Sequence, residues 1–284
     1  MKPTDALLAV LVPTLWSLGF TLSKAAFDTF PPVLLIALRF GVTALAFIWA
    51  VPTPARAVLW RIFLVSVVSG SVQYSLAYLG LAGMDASTAS LLIQMEVPFA
   101  ALIAWIFLKE RIGWRRAIGM AVAFVGIIMI AGEPRVQETW FPALLVISAA
   151  FVWAIGQVMV RAIGPVGGFT LIAWMAAFAS PQLFFASLVL ESGQWEALTG
   201  AGLPQWGLVL YLGLVMNGVG YALWYHLLGK YDVNRCIPFL MLVPVVGVAS
   251  AVVLLGETIT WLIAAGGFVV VAGIGIITIE RRVR

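Results

Sequence analysis

The chain has 284 residues, of which 63% are hydrophobic and only 10% charged, and its mean hydropathy is +1.09. No surface that water would solvate can be built from that composition, so the solvent is lipid. A net charge of +4 and a pI near 9.5 do not point to nucleic acid, because the cations stand in short clusters flanking apolar runs, without aromatic interleaving on a soluble face.

Roughly 20 residues cross about 30 Å of hydrocarbon, and on that measure spans are expected near 6–26, 33–51, 62–82, 88–108, 117–131, 140–161, 169–190, 205–228, 236–255 and 261–279. The first follows Lys2 and is similar to a secretory leader, but it runs into further apolar segments rather than a soluble domain and is read as retained. Arg39 interrupts the second span, Glu96 the fourth, and the fifth is short. The expected class is all-α, a polytopic membrane protein of ten transmembrane helices, since an open sheet in lipid leaves backbone groups unpaired.

With ten spans, Lys2, Arg56, Arg61, Lys109, Arg111, Arg115, Arg116, Arg161, Lys230, Arg235, Arg281, Arg282 and Arg284 fall on one side. Arg135 alone joins Asp28, Asp85, Glu133, Glu138, Glu191, Glu196 and Glu257 on the other. The positive-inside rule makes the first side cytoplasmic and puts both termini there. One helix more or fewer would scatter the cations over both faces.

Tyr74, Tyr78, Asp85, Glu110, Trp114, Gly119 and Gly126 return 147 positions later as Tyr221, Tyr225, Asp232, Glu257, Trp261, Gly266 and Gly273. That period is far longer than a solenoid unit of about 20–50 residues and indicates a duplicated module. Trp16, Gly19 and Lys24 correspond at a shorter offset to Trp153, Gly156 and Arg161, so one loop changed length. The halves are read as 1–134 and 135–284, five helices each. An odd number makes the second copy enter from the opposite side, giving two inverted repeats of the kind on which alternating access is built.

Catalytic signatures are absent. No phosphate-binding G-x-x-x-x-G-K-[ST] loop and no H-E-x-x-H occur, and the single His226 excludes bis-histidine haem ligation. The lone Cys236 excludes an intramolecular disulfide and offers no metal-ligand spacing. No cofactor or metal is expected, and no acid/base set or activated nucleophile supports an intramembrane enzyme. His226 reads as an interfacial residue ahead of a proton-linked switch.

Trp49, Trp60, Trp105, Trp114, Trp140, Trp195, Trp206 and Trp261 lie near span ends, where aromatic belts are normal. Trp16 and Trp153 are deeper, each three residues before a glycine. With Tyr74, Tyr78, Tyr221, Trp224 and Tyr225 they form aromatic faces, because i, i+4 spacing puts both tyrosines of each copy on one side. A phenol in hydrocarbon needs a partner, so those faces should meet protein or water.

Gln73, Gln94, Glu96, Gln157, Asn217, Arg39 and Lys24 are polar at membrane depth, where such residues usually turn inward. Lys24 is near an outer end and can snorkel. At 1.5 Å per residue, Arg39 lies about 9 Å and Glu96 about 12 Å below the outer ends of their helices, a depth at which they can pair. Trp174 and Val243 stand near the equivalent positions of the second half, so both charges are missing together, as an ion pair requires. The alternatives are a Glu96 carboxylate that binds a proton or a substrate amine, or neither role. Pro98 and Pro244, inside predicted helices, are candidate hinges.

The segments at 107–111 (Phe-Leu-Lys-Glu-Arg) and 254–258 (Leu-Leu-Gly-Glu-Thr), each followed by Trp and a glycine-spaced helix, resemble the EamA family of the drug/metabolite transporter superfamily. So do Met95-Glu96-Val97-Pro98 and the W-x-x-G-x-x-x-x-[K/R] start of each half. The second half departs from the pattern, having Leu242-Val243-Pro244 in place of Glu96-Val97-Pro98. The resemblance spans the whole chain and implies secondary transport of small metabolites, often export, by inverted five-helix repeats. Within the family the aromatic-rich interior is similar to bacterial exporters of aromatic amino acids.

The expectation is therefore an inner-membrane secondary transporter, partnered by a small-molecule substrate and the bilayer, with a central cavity between the halves and a monomer as a plausible state. Its substrate would be held by Trp16, Tyr74, Tyr78, Trp153, Tyr221, Trp224 and Tyr225 around the side chain and by Gln94, Gln157 and Asn217 at the polar end. Alternatives are a broad drug or cation efflux transporter and, from another class, a noncatalytic scaffold or channel.

Overall fold

The computed structural model describes residues 2–108, 113–164, 166–231, 236 and 239–278. The expectations for Lys109, Glu110, Arg111, Asp232, Arg235 and the last six residues, and for the Tyr225 side chain, lie outside the described residues.

Ten long helices follow one another: α1 (Pro3–Ala26), α2 (Pro32–Ala50), α3 (Arg56–Ala82), α4 (86–108), α5 (Trp114–Ala131), α6 (Trp140–Ile163), α7 (Gly168–Leu190), α8 (203–230), α9 (Leu242–Leu255) and α10 (Trp261–Thr278). Nine are long and apolar enough to cross a membrane, α9 is a shorter apolar helix, and no strand occurs among the described residues. The chain is thus a polytopic all-helical membrane protein. Helix α3 starts at Arg56, ahead of the expected 62, and its Arg56 and Arg61 side chains are exposed. Two expected loops carry short helices, Pro134–Glu138 and Gln194–Gly200.

Helices α3 and α8 each contain a π-helical stretch, Ser66–Val72 and Tyr211–Val219, and the 147-residue offset superposes the first on the second. Wide turns loosen the backbone ladder, and a helix of the opposite half steadies each one. Gln182 of α7 bonds Ser66 Oγ at 3.0 Å and Ser71 Oγ at 2.7 Å, and Thr43 of α2 donates to Gly213 O at 2.9 Å. Nothing in the hydropathy pattern announces these stretches.

Pro98 and Pro244 each follow closely on an irregular turn and are not flanked by regular α-helix on both sides. A 3₁₀ turn, Ile93–Met95, breaks α4, and Pro98 is the third residue after it; Pro244 is the third residue of α9, after a turn at Met241. In a first turn the missing proline N–H costs no helical bond, which is why both are tolerated there.

Helix α5 packs on α10, α2 on α7, α3 on α6, and α1 on α8 and α9. The α5–α10 crossing is backbone on backbone: a Cβ on Gly119 would sit 2.8 Å from Gly273 O, and one on Gly126 would sit 2.7 Å from Gly266 O. Pairing runs 119 with 273 and 126 with 266, so the helices are antiparallel. Each glycine meets the repeat equivalent of the other, which is the signature of two inverted copies.

Carboxylates close the end of the bundle that holds Asp85. Glu257 accepts from the N–H groups of Ala86 at 2.6 Å and Ser87 at 2.9 Å, and Glu191 does the same for Val33 at 2.8 Å and Leu34 at 3.1 Å. Both anions meet the positive end of a helix and satisfy donors that have no intrahelical partner. At the same end Lys24 Nζ donates to the last carbonyls of α3, Leu81 O at 2.9 Å and Ala82 O at 2.8 Å. Burial and the neighbouring Glu257 carboxylate hold the Asp85 carboxyl above its usual range. Glu257→Gln keeps one acceptor and loses the charge, so it should cost about 1 kcal/mol. Thermal unfolding of the purified variant checks this.

Candidate functional site

Where α2, α3 and α8 meet, a guanidinium is sealed within the membrane span. Arg39 of α2 is 1% exposed. Its Nη1 donates to the Tyr78 hydroxyl of α3 at 2.8 Å, and both Nε, at 3.1 Å, and Nη2 donate to Asn217 Oδ1 of α8. The Asn217 amide is fixed in turn by its Nδ2, which donates to Thr43 Oγ1 at 3.2 Å. The π stretch of α8 carries Asn217, so the irregular backbone sets the acceptor against the cation.

Aromatic rings enclose the charge. Arg39 lies 5.5 Å from the Tyr74 ring centre and 5.8 Å from that of Phe40, within cation–π range. Tyr221, the repeat equivalent of Tyr74, lies close to it, which puts the seam between the halves beside Arg39. Tyr221 also meets Trp16 at 4.9 Å between ring centres, and Trp16 meets Trp224 at 6.0 Å. Phe20 and Phe27 of the α1 region pack edge-on against Tyr78 at 5.9 and 6.0 Å. The Trp16 Nε1 proton is buried without an acceptor among the described residues, pressed against Gly220, whose Cβ would lie 2.7 Å from it.

Of the residues read from the sequence, Trp16, Arg39, Tyr74, Tyr78, Asn217, Tyr221 and Trp224 come together. No hydrogen bond or ring contact joins Gln94, Trp153 or Gln157 to them among the described residues: Gln94 is buried, Trp153 half-buried and Gln157 exposed. The Arg39–Glu96 ion pair does not form. Depth and the joint absence of both charges in the second half suggested it, but α4 packs chiefly on α6 and α9, and Arg39 turns to Tyr78 and Asn217 instead. Glu96 is half-buried and makes no hydrogen bond or ion pair among the described residues.

At the repeat-related place the loss of Arg39 has a different counterpart. The position equivalent to Asn217 is Gly70, so the amide and the guanidinium vanish together, leaving Trp174 and Gly70. Thr43 and Ser23, which touch Asn217 and Tyr78, were missed because a lone hydroxyl in an apolar run bonds its own helix as readily as a neighbour. Each does bond its own helix too, at Arg39 O and Gly19 O.

Two antiparallel helical halves with a charged, aromatic-walled node buried at their seam define a membrane transporter. The EamA-like transporter family matches twice, at residues 4–132 and 140–279, and the chain belongs to that family. It is 31% identical to a "Probable amino-acid metabolite efflux pump" of Salmonella typhimurium, over 100% of this chain and 98% of that one. A protein of the same description from Escherichia coli is 29% identical, over 96% of this chain and 94% of its own. A "Probable terminal-alkyne amino-acid exporter" of Streptantibioticus cattleyicolor is 28% identical, over 99% and 97%. A solved crystal structure shares the fold, with a TM-score of 0.68 at 18% identity over 98% of this chain and 97% of that one. By family the protein is a transporter and not an enzyme, and its partners are a small-molecule substrate and the bilayer.

Proposed function

We propose that the protein exports small metabolites, aromatic amino acids foremost, across the bacterial inner membrane by alternating access. The observation that carries this reading is the Arg39–Asn217–Tyr78 node, flanked by the Tyr74 ring and by the Trp16–Tyr221 pair, polar and aromatic at once and built by both halves. Relatives described as amino-acid efflux pumps and an amino-acid exporter support the direction and the substrate class. The units that move are the halves 1–134 and 135–284, and both termini are cytoplasmic.

Counterflow in proteoliposomes tests the function with a panel of labelled amino acids. Labelled tryptophan or phenylalanine should accumulate against an equal unlabelled pool. Fast, nonsaturating flux would instead mean a channel, and no flux of any solute a scaffold. Competition by lipophilic cations but not by amino acids would mean drug efflux. Glu96, unpaired and half-buried, is the residue for proton coupling. If the protein is an antiporter, a pH gradient accelerates wild-type flux and Glu96→Gln removes that dependence. Flux indifferent to the gradient in both proteins establishes facilitated diffusion.

A further inference from the structure

Arg39 is charged and buried, yet no carboxylate neutralises it among the described residues. Its neighbours are a phenol, an amide oxygen and two aromatic rings. Neutral dipoles moderate a guanidinium without cancelling it, and an uncompensated buried charge is among the most costly features a fold can keep. The hydrogen bonds show where the missing anion fits. Nε and Nη2 form the side-on edge of the guanidinium fork, which a carboxylate grips with two oxygens. Here one atom, Asn217 Oδ1, accepts from both. A single amide oxygen stands where two carboxylate oxygens would.

We propose that Arg39 recognises the carboxylate of the transported molecule, and that Asn217 Oδ1 holds its place when the site is empty. The proposal rests on the transport function above and names its substrate class: small zwitterions or monoanions that bear a carboxylate beside an apolar or aromatic body. Arg39 itself is sealed, so a ligand would have to reach the fork past Tyr74, whose ring lies against it, and Tyr221, each of them only half-buried. The Trp16, Tyr221 and Trp224 rings border that approach and offer an apolar wall to the rest of the molecule. On exchange the displaced amide keeps its bond to Thr43. Arg39 and Tyr78 belong to the first half and Asn217 to the second, so loading the carboxylate also undoes a tie between the halves. An amine without a carboxylate would meet only the positive field of Arg39.

The test uses the purified full chain in detergent and reads ligand-induced shifts in melting temperature. Its probes are indolepropionate and phenylpropionate, carboxylates without an amine, against tryptamine and phenethylamine, amines without a carboxylate. The carboxylates should raise the melting temperature and the amines should not. Asn217→Asp puts a permanent carboxylate on the same edge with almost unchanged shape. It should keep or raise the melting temperature of the empty protein while weakening carboxylate binding about tenfold or more. Arg39→Lys, which keeps the charge and loses the fork, should weaken it as well. A purely structural Arg39 would leave ligand binding by Asn217→Asp unchanged, and that result overturns the proposal. So do stabilisation by the amines alone and the absence of any shift. Amino-acid counterflow without carboxylate binding overturns this site and leaves the transport reading standing; carboxylate binding without flux of any solute does the reverse.

Discussion

Gly273→Leu is expected to abolish assembly of the bundle, and Gly273→Ala to cost about 3 kcal/mol, the upper end of what overpacking a close contact usually costs. The reason is what the new carbon would strike. A Cβ at Gly273 would lie 2.5 Å from Ala123 N and 2.7 Å from Gly119 O. Both are backbone atoms of α5, so no rotamer change relieves the clash and the helices must separate along the whole crossing. Lipid supplies no hydrophobic drive to re-form it, since tails are as apolar as side chains. Where the obstacle is a flexible side chain the outcome differs: at Gly19 the new carbon would meet the thioether of Met216, which can swing away. Gly207→Ala is the control, with nothing within 4 Å of the added carbon and a better helix former in place. Gel-filtration profiles and melting curves of the three proteins decide the matter. A Gly273→Ala protein as stable as Gly207→Ala would mean that the crossing is looser than the packing indicates.

Much of the architecture could be read before any coordinates, because lipid reduces the fold problem to a few strict demands. Backbone groups must pair within helices and apolar runs must reach across the bilayer; each leaves a mark on the sequence. The repeat carried the glycine pairs of α5 and α10 with it. What could not be read was lateral. Depth along a helix follows from counting residues, but which helices touch depends on packing choices that periodicity does not encode, and this is why depth offers Glu96 as one possible partner of Arg39 while the bundle supplies Asn217. The aromatic members of the site were legible for a physical reason, since Tyr74 and Tyr221 are large, amphipathic and related by the repeat. Thr43, Ser23 and the two π stretches were not, because a hydroxyl or one wide turn alters hydropathy too little to register. Gln94, Trp153 and Gln157 show the same limit from the other side: polarity or an aromatic ring at depth does not say which neighbour it faces.

Asn217→Leu should be among the most destabilising single changes in the protein, at about 3 kcal/mol, although it adds an apolar residue to a membrane span. It removes the acceptor for two of the Arg39 donors while the charge stays buried, and breaking one side of a buried charged contact typically costs about 3–5 kcal/mol. Arg39→Met removes the charge instead. It leaves the Asn217 oxygen and the Tyr78 hydroxyl short of a donor, a smaller loss of about 1–2 kcal/mol. Arg39→Met combined with Asn217→Leu takes out both ends of the contact and leaves neither a buried charge nor an orphaned amide, so its stability should return close to that of the parent. The coupling between the two changes should then be about 4–5 kcal/mol, the sum of the two single losses, read as the non-additivity of melting or denaturant midpoints. Additive losses would mean that the two residues do not share one contact. The restored double variant is also the sharpest separation of fold from function: it should purify as a stable bundle and yet give no saturable counterflow, because the protein keeps a costly guanidinium in the membrane for its ligand and not for its own stability.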